Sequence, residues 1–272
     1  QKMRGKKVSF SQGYTFDTVL NGFAATVKAD DLDKLVEIPG VTLVEPDTIV
    51  YASEDITTST DANFEQISPM MNTSNSFLGI EKLWDEGIEG QGIKVAVLDT
   101  GIDADHPEFQ GIYKGGKNFV PHTGTDYARP RADDDASETS PLDRPSNRPE
   151  FNANGSSFYT SHGTHVAGTI AAIGANQYGI KGIAPKVDLY AYRVLGAYGS
   201  GSTSNIIKAI DTAVIEEMDV INLSLGGGAN SETDGSSFAI NNAMMAGTIA
   251  VSATGNSGPN RGTIGTPATS RL

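Results

Sequence analysis

From about residue 77 onward the hydrophobic positions fall into two alternating patterns. Short apolar runs occur at Ile93 to Leu98, Val187 to Leu195, Val220 to Leu223 and Thr248 to Ala253. Between them lie longer segments of helical character. Thr164 to Ala175 is rich in small residues, Ser204 to Met218 carries Ile206, Ile207, Ile210, Ala213 and Val214 on one side, and Ser236 to Met245 follows. A strand apolar on both faces is covered on both faces, and strands alternating with helices run parallel to one another. The pattern predicts an α/β domain over residues 77–272, built on a doubly wound parallel sheet.

The first 52 residues read differently. Asn21 to Val27 alternates like a strand. Asp30 to Val36 reads as a helix, begun by acidic residues and stopped by Pro39-Gly40. Val41 to Asp47 reads as another strand, which makes residues 1–52 a small α+β unit. The polar, weakly periodic stretch 53–76 reads as a linker. Residues 123–161 interrupt the α/β rhythm with several prolines and the run Arg131-Ala132-Asp133-Asp134-Asp135. They are expected to form a surface insertion: a structureless acidic loop, a cation site or a rim to a substrate cleft.

Composition narrows the function classes. A chain of 272 residues suffices for one large domain or two smaller ones. A formal net charge of -13 argues against nucleic acid or an anionic membrane as partner. Cysteine is absent, which excludes disulfides and thiolate metal sites. No apolar run in the chain is long enough to cross a bilayer.

Three segments carry chemistry. Asp99 ends the run Val95-Ala96-Val97-Leu98 and precedes Gly101, so topology puts it at the ligand-facing edge of a parallel sheet. A carboxylate there can accept the Nδ1–H of an imidazole, fixing its tautomer. It could equally serve a nucleotide-binding or phosphoryl-accepting site in another doubly wound fold. His162 opens the segment His162-Gly163-Thr164-His165-Val166-Ala167-Gly168, whose small residues let a helix approach the sheet closely. His162 and His165 as metal ligands would need a third ligand and a nearby acid, and neither is evident. Asn256 follows the last strand within Gly255-Asn256-Ser257-Gly258. Its amide can face a developing oxyanion, although a turn asparagine before glycine is as common.

With these blocks in order, the chain resembles the subtilisin-like serine proteases (subtilases, peptidase family S8). Ile183-Ala184-Pro185, Leu189 to Gly196 and Ile221 to Gly227 add to the likeness. The resemblance implies a subtilisin-like catalytic domain over 77–272, preceded by a ferredoxin-like inhibitory propeptide (inhibitor I9-like) over 1–52. It makes Asp99 the orienting acid, His162 the general base and Asn256 the oxyanion donor. Gly199, Ser200 and Gly201 would form the edge strand that pairs with a peptide. Ser224, Leu225 and Gly226 would form one wall of the specificity pocket, Ala253, Thr254 and Gly255 the other, and Gly265 its floor. Glu108 with Ile173, Asn176 and Ile180 would supply oxygen ligands to a structural Ca²⁺. The partners implied are polypeptide substrates and the chain's own propeptide, in a bacterial protein that is secreted or bound to the cell wall.

Two departures stand out. Asp99 and His162 lie 63 positions apart (162 − 99) because of the insertion. No Gly-Thr-Ser-Met-Ala-like segment follows Asn256, and Ser270 in Thr266-Pro267-Ala268-Thr269-Ser270 comes too soon to be assigned as nucleophile. The chain as given is therefore expected to lack its nucleophile, with both ends cut. The alternative is a non-catalytic fragment or inactive homologue acting as a folding or inhibitory module.

Overall fold

The computed structural model describes residues 8–53, 70–121, 130–228 and 231–272. A hairpin of β1 (Phe10–Phe16) and β2 (Gly22–Val27) leads to a short helix, α1 (Leu32–Val36), and to an extended segment ending in β3 (Ile49–Ala52). Helices α2 (Met70–Leu78) and α3 (Ile80–Asp85) precede β4 (Lys94–Asp99) and β5 (Tyr113–Asn118). After the insertion come α4 (His162–Ala171), β6 (Asp188–Arg193), β7 (Ser200–Ser202) and α5 (Thr203–Ile215). The chain continues through β8 (Val220–Leu223), β9 (Leu225–Gly226), α6 (Gly235–Met245) and β10 (Ile249–Ser252).

Five strands form a parallel sheet in the order β10-β8-β4-β6-β5, so β4 is its middle strand. Side chains alternate across it. Ala96 and Leu98 face a core with Ile206, Ile210, Ile221 and Leu223, under α5. Val95 and Val97 face the opposite core with Phe109, Ala167, Ala171 and Leu189, under α4. Both faces of the inner strands are covered, as the apolar runs predicted, whereas Ile249 and Val251 of edge strand β10 are exposed. The carboxyl ends of β4 and β8 open on one rim, where the order reverses about β4.

A second, antiparallel sheet of three short strands, β7-β3-β9, sits at that rim. Its central strand comes from the N-terminal unit. That unit is fastened to α5 and α6 by apolar and polar contacts together. Phe16 and Val19 join the core beneath the two helices. The N–H groups of Thr18 and Val19 both donate to Asp211 Oδ1 at 2.9 Å, and Asn242 Nδ2 donates to the Val19 carbonyl at 2.7 Å.

Three expectations are revised. Val41 to Asp47 is not a strand, and β3 starts two residues later. Leu43 and Val44 are exposed, while the acidic side chains turn to helix ends. Glu45 accepts from the Gly235 N–H at the start of α6. Asp47 accepts from the N–H and hydroxyl of Ser204 in the first turn of α5. Each cap neutralises exposed helix donors and is worth about 1 kcal/mol, which favours a stretched tether over a paired strand.

The linker is shorter than read, because Met70–Leu78 is helical; residues 54–69 lie outside the described residues. Asparagine, serine and threonine dominate that helix, and their low helix propensity hid it. The insertion is not structureless over 130–161; residues 123–129 of it lie outside the described residues. Its Arg131 guanidinium is fully enclosed, bonded to Asp143, Ser137 and the Glu138 carbonyl, and Phe158 is fully buried. The polarity of this segment faces inward, which periodicity does not reveal.

Helix α4 begins at His162, two residues earlier than the apolar pattern suggested. Gly163 in its first turn lies against the loop after β4: a Cβ there would stand 2.2 Å from the Gly101 carbonyl oxygen. Gly101 itself has φ +128°, which L side chains rarely adopt. Gly163→Ala is expected to push helix and strand apart at a cost of about 1–3 kcal/mol, as overpacking does. Urea unfolding measures it; an unchanged midpoint would contradict this close approach.

Candidate active site

The approach of α4 to β4 brings acid and imidazole together. Asp99 is fully buried at the end of β4, and its Oδ1 accepts from the Thr100 N–H and from His162 Nδ1, each at 2.7 Å. Asp99 Oδ2 is buried with no hydrogen-bond partner among the described residues. A buried carboxylate so placed gains when the neighbouring imidazole becomes positive. With Nδ1–H given to Asp99, the lone pair of the neutral ring lies on Nε2. Thr100 fixes the pair from below, its Oγ1 accepting from the Gly163 N–H at 2.9 Å. Sequence reasoning overlooked Thr100, although a hydroxyl next to a strand-end acid is a visible signal.

Strand β3 runs between the segment expected to pair with a peptide, displaced by one residue to Ser200–Ser202, and the segment expected as a pocket wall. On one side Ile49, Val50 and Tyr51 pair antiparallel with Ser202, Gly201 and Ser200. On the other side Tyr51 and Ala52 pair antiparallel with Gly226 and Leu225, and the Ser53 N–H donates to the Ser224 carbonyl at 2.9 Å. Gly201 has to be glycine here, since a Cβ would stand 2.3 Å from the Val194 carbonyl oxygen. Val50 is buried in the core with Ile206 and Leu225, whereas Ile49 and Tyr51 point outward. Strand β3 is thus paired on both sides, in a strand-addition mode.

At the end of this strand, Asn256 Nδ2 donates to the Ser53 carbonyl oxygen. The pocket segments stand beside it. Ala253 N–H donates to the Leu223 carbonyl at 3.0 Å and continues the line of β10, while Gly265 N–H donates to the Thr254 carbonyl at 3.2 Å. Gly227 N–H donates to the Thr266 carbonyl at 2.9 Å, which ties the wall containing Ser224–Gly226 to the segment carrying Gly265. A Cβ on Gly265 would stand 2.6 Å from the Gly227 oxygen, so this position leaves no room for a side chain. The Ser53 hydroxyl is buried with no hydrogen-bond partner among the described residues.

Glu108, Asn176 and Ile180 also converge, as the sequence suggested, but with a nitrogen in their midst. Asn176 Nδ2 donates to Glu108 Oε1 at 2.6 Å and to the Ile180 carbonyl at 2.8 Å. Its Oδ1 accepts from the N–H groups of Tyr178 and Ile180, which fixes the orientation of the amide. Glu108 Oε2 accepts from the N–H groups of Gly174 and Ala175, and Ile173 N–H donates to the Glu108 carbonyl. Burial alone would raise the Glu108 carboxyl, but these donors outweigh it and hold it below the usual carboxylate range. In this arrangement Asn176 presents its nitrogen, rather than an oxygen, to Glu108 and to the Ile180 carbonyl. Among the described residues no group of three or more His, Asp or Glu could hold a metal ion.

No helix among the described residues is long and apolar enough to cross a membrane. Comparison with known proteins agrees with the geometry. The subtilase family profile matches residues 90–271 and that of peptidase inhibitor I9 matches residues 1–53. The minor extracellular protease Vpr of Bacillus subtilis (strain 168) is 40% identical over 261 residues, covering 94% of this chain and 29% of that protein. Subtilisin E of the same organism is 35% identical over 251 residues, covering 92% of this chain and 53% of that protein. Its major intracellular serine protease is 39% identical over 178 residues, or 65% of this chain and 47% of that protein. The chain spans between 29% and 53% of the length of these relatives. It belongs to the subtilase family, with an I9-type inhibitor domain ahead of a subtilisin-like α/β domain.

Proposed function

We propose that this chain carries the acid, base and oxyanion donor of a serine endopeptidase, together with the intramolecular inhibitor that holds it closed. In this reading His162 Nε2 takes the proton of a serine hydroxyl as that oxygen attacks the peptide carbonyl carbon. Asp99 keeps the ring in register and stabilises the imidazolium. Asn256 Nδ2 donates to the oxyanion, and the imidazolium returns its proton to the leaving amine as the C–N bond breaks. The nucleophile is not assigned within residues 1–272. The protein works on polypeptides held as an added strand between β7 and β9, outside the cell.

One observation carries this reading. The Ser53 carbonyl lies on Asn256 Nδ2 at the end of a strand paired on both sides, where the acyl half of a cleaved peptide would lie. Residues 50–53 therefore stand as product, and the processing bond is Ser53–Glu54. The buried Ser53 hydroxyl meets no polar partner, which supports a pocket suited to a larger apolar side chain. A poorly matched residue there lets the inhibitor leave.

N-terminal sequencing of the mature full-length protein is expected to start at Glu54. His162→Ala should leave the precursor uncut, and Asn256→Ala should slow processing roughly 100- to 1,000-fold, as loss of an oxyanion donor does. Cutting at a different bond, or normal processing with His162→Ala, would refute the assignment.

The same reading gives the 173–180 loop to Glu108 in place of a cation. Chelation is then expected to leave the melting temperature unchanged. Glu108→Gln should cost about 1–3 kcal/mol at neutral pH, the range for leaving buried donors without a charged acceptor. Because folding lowers this carboxyl, its stabilisation is full above the ordinary carboxylate range and is lost as pH falls through the folded-state value. The gap between wild type and Glu108→Gln should therefore close in acid. A melting temperature that drops on chelation would return the loop to calcium.

A further inference from the structure

The insertion does more than lengthen the path from Asp99 to His162. Helix α4 has Ser161 at its N-cap, yet that side chain makes no capping hydrogen bond. The first-turn donors are met from outside the helix. Thr100 Oγ1 accepts from Gly163, and Glu138 Oε1 accepts from the N–H and the hydroxyl of Thr164, both at 2.9 Å. Glu138 Oε2 accepts from the Thr160 hydroxyl at 2.5 Å. The Thr164 hydroxyl in turn accepts from the Asp103 N–H at 2.9 Å. One carboxylate from the insertion thus joins the base-bearing helix to the loop that follows the catalytic acid.

Glu138 is held in place by buried groups. The Arg131 guanidinium donates to the carbonyls of Ser137 and Glu138 at 2.6 and 3.1 Å, and to Asp143 at 3.0 Å. Arg193, also buried, donates to the Thr139 hydroxyl at 2.9 Å. Thr139 and Thr160 exchange two hydrogen bonds, Thr160 N–H to the Thr139 carbonyl and Thr139 N–H to Thr160 Oγ1. The Ala136 carbonyl accepts from the Ile102 N–H, so the acid loop is tied to the same segment. A side chain fixed by enclosed charges is a rigid support, whereas one on a free loop would not be.

We propose that Glu138 is a positioning residue for the general base: by capping α4 and bridging it to the Asp103 loop, it sets the Asp99–His162 distance. The proposal rests on the reading of His162 as base. It also makes the insertion part of the catalytic apparatus. A shift of the helix start of a few tenths of an ångström lengthens a 2.7 Å hydrogen bond directly, because His162 is the first residue of the helix.

The test uses the chain itself and needs no turnover. In the ¹⁵N-labelled protein, the low-field Nδ1 proton of His162 reports its bond to Asp99. Glu138→Ala is expected to broaden or shift this signal and to speed exchange of the Thr164 amide about tenfold, in line with loss of a cap. Glu138→Gln, which keeps an acceptor for Thr164, should restore both. A His162 signal unchanged in folded Glu138→Ala, or a Gln variant as disturbed as the Ala variant, would overturn the proposal. Should Glu138→Ala fail to fold, Thr164→Val removes the bridging hydroxyl alone, and an unmoved His162 signal there would also overturn it. A failed processing test with an altered His162 signal would sink the peptidase reading, and with it any role toward a general base, and leave only the hold of Glu138 on the Asp99–His162 hydrogen bond.

Discussion

Everything at the rim depends on how closely the start of α4 can lie against the end of β4. The hydrogen bond between His162 and Asp99 joins a helix that begins with its functional residue to a strand that ends with its own. Two main chains must then meet almost without side chains between them, and Gly163 against Gly101 provides that contact. The parallel sheet fixes where β4 ends, and the buried rows on its two faces fix the height of α4. Neither apolar core could be displaced by a methylene without moving the imidazole.

Polar groups finish what packing begins. Hydrophobic burial is non-directional, so it can bring helix and strand together without fixing a hydrogen bond to a fraction of an ångström. Thr100 and Glu138 supply the directional part by taking up first-turn donors of α4, and the Thr164 hydroxyl adds to it by accepting from the Asp103 N–H. The N-terminal unit uses the same device on the other face, where Glu45 and Asp47 cap α6 and α5. An acidic chain has carboxylates in surplus, and this one places several of them at helix starts, where the peptide dipoles favour negative charge.

The cleft is filled by a segment of its own chain in the geometry of a bound peptide. Strand addition explains why so little side-chain chemistry is needed: β3 is held by main-chain pairing on both sides, with Val50 buried in the core and Ala52 packed against it. The hairpin packing and the capped helices hold the same unit from the other side.

The sequence alone determined the parallel sheet, because covered strands must be apolar on both faces, and it marked Asp99, His162 and Asn256 through the blocks that surround them. Its family resemblance placed a pairing strand at Gly199–Gly201, where the structure pairs Ser200–Ser202, and it gave Ser224–Gly226 as a pocket wall, part of which also pairs with β3. What it left undecided were positions defined by contacts distant along the chain. Val41 to Asp47 alternates like a strand, yet its carboxylates find helix ends more than a hundred residues away. Glu138 and Arg131 sit in a polar run that looks solvated, yet enclosure by groups from β6, α4 and the insertion itself turns them inward. Periodicity records which face of an element is buried; only the tertiary structure decides which polar atoms meet, because those partners are chosen by the folding of the whole chain.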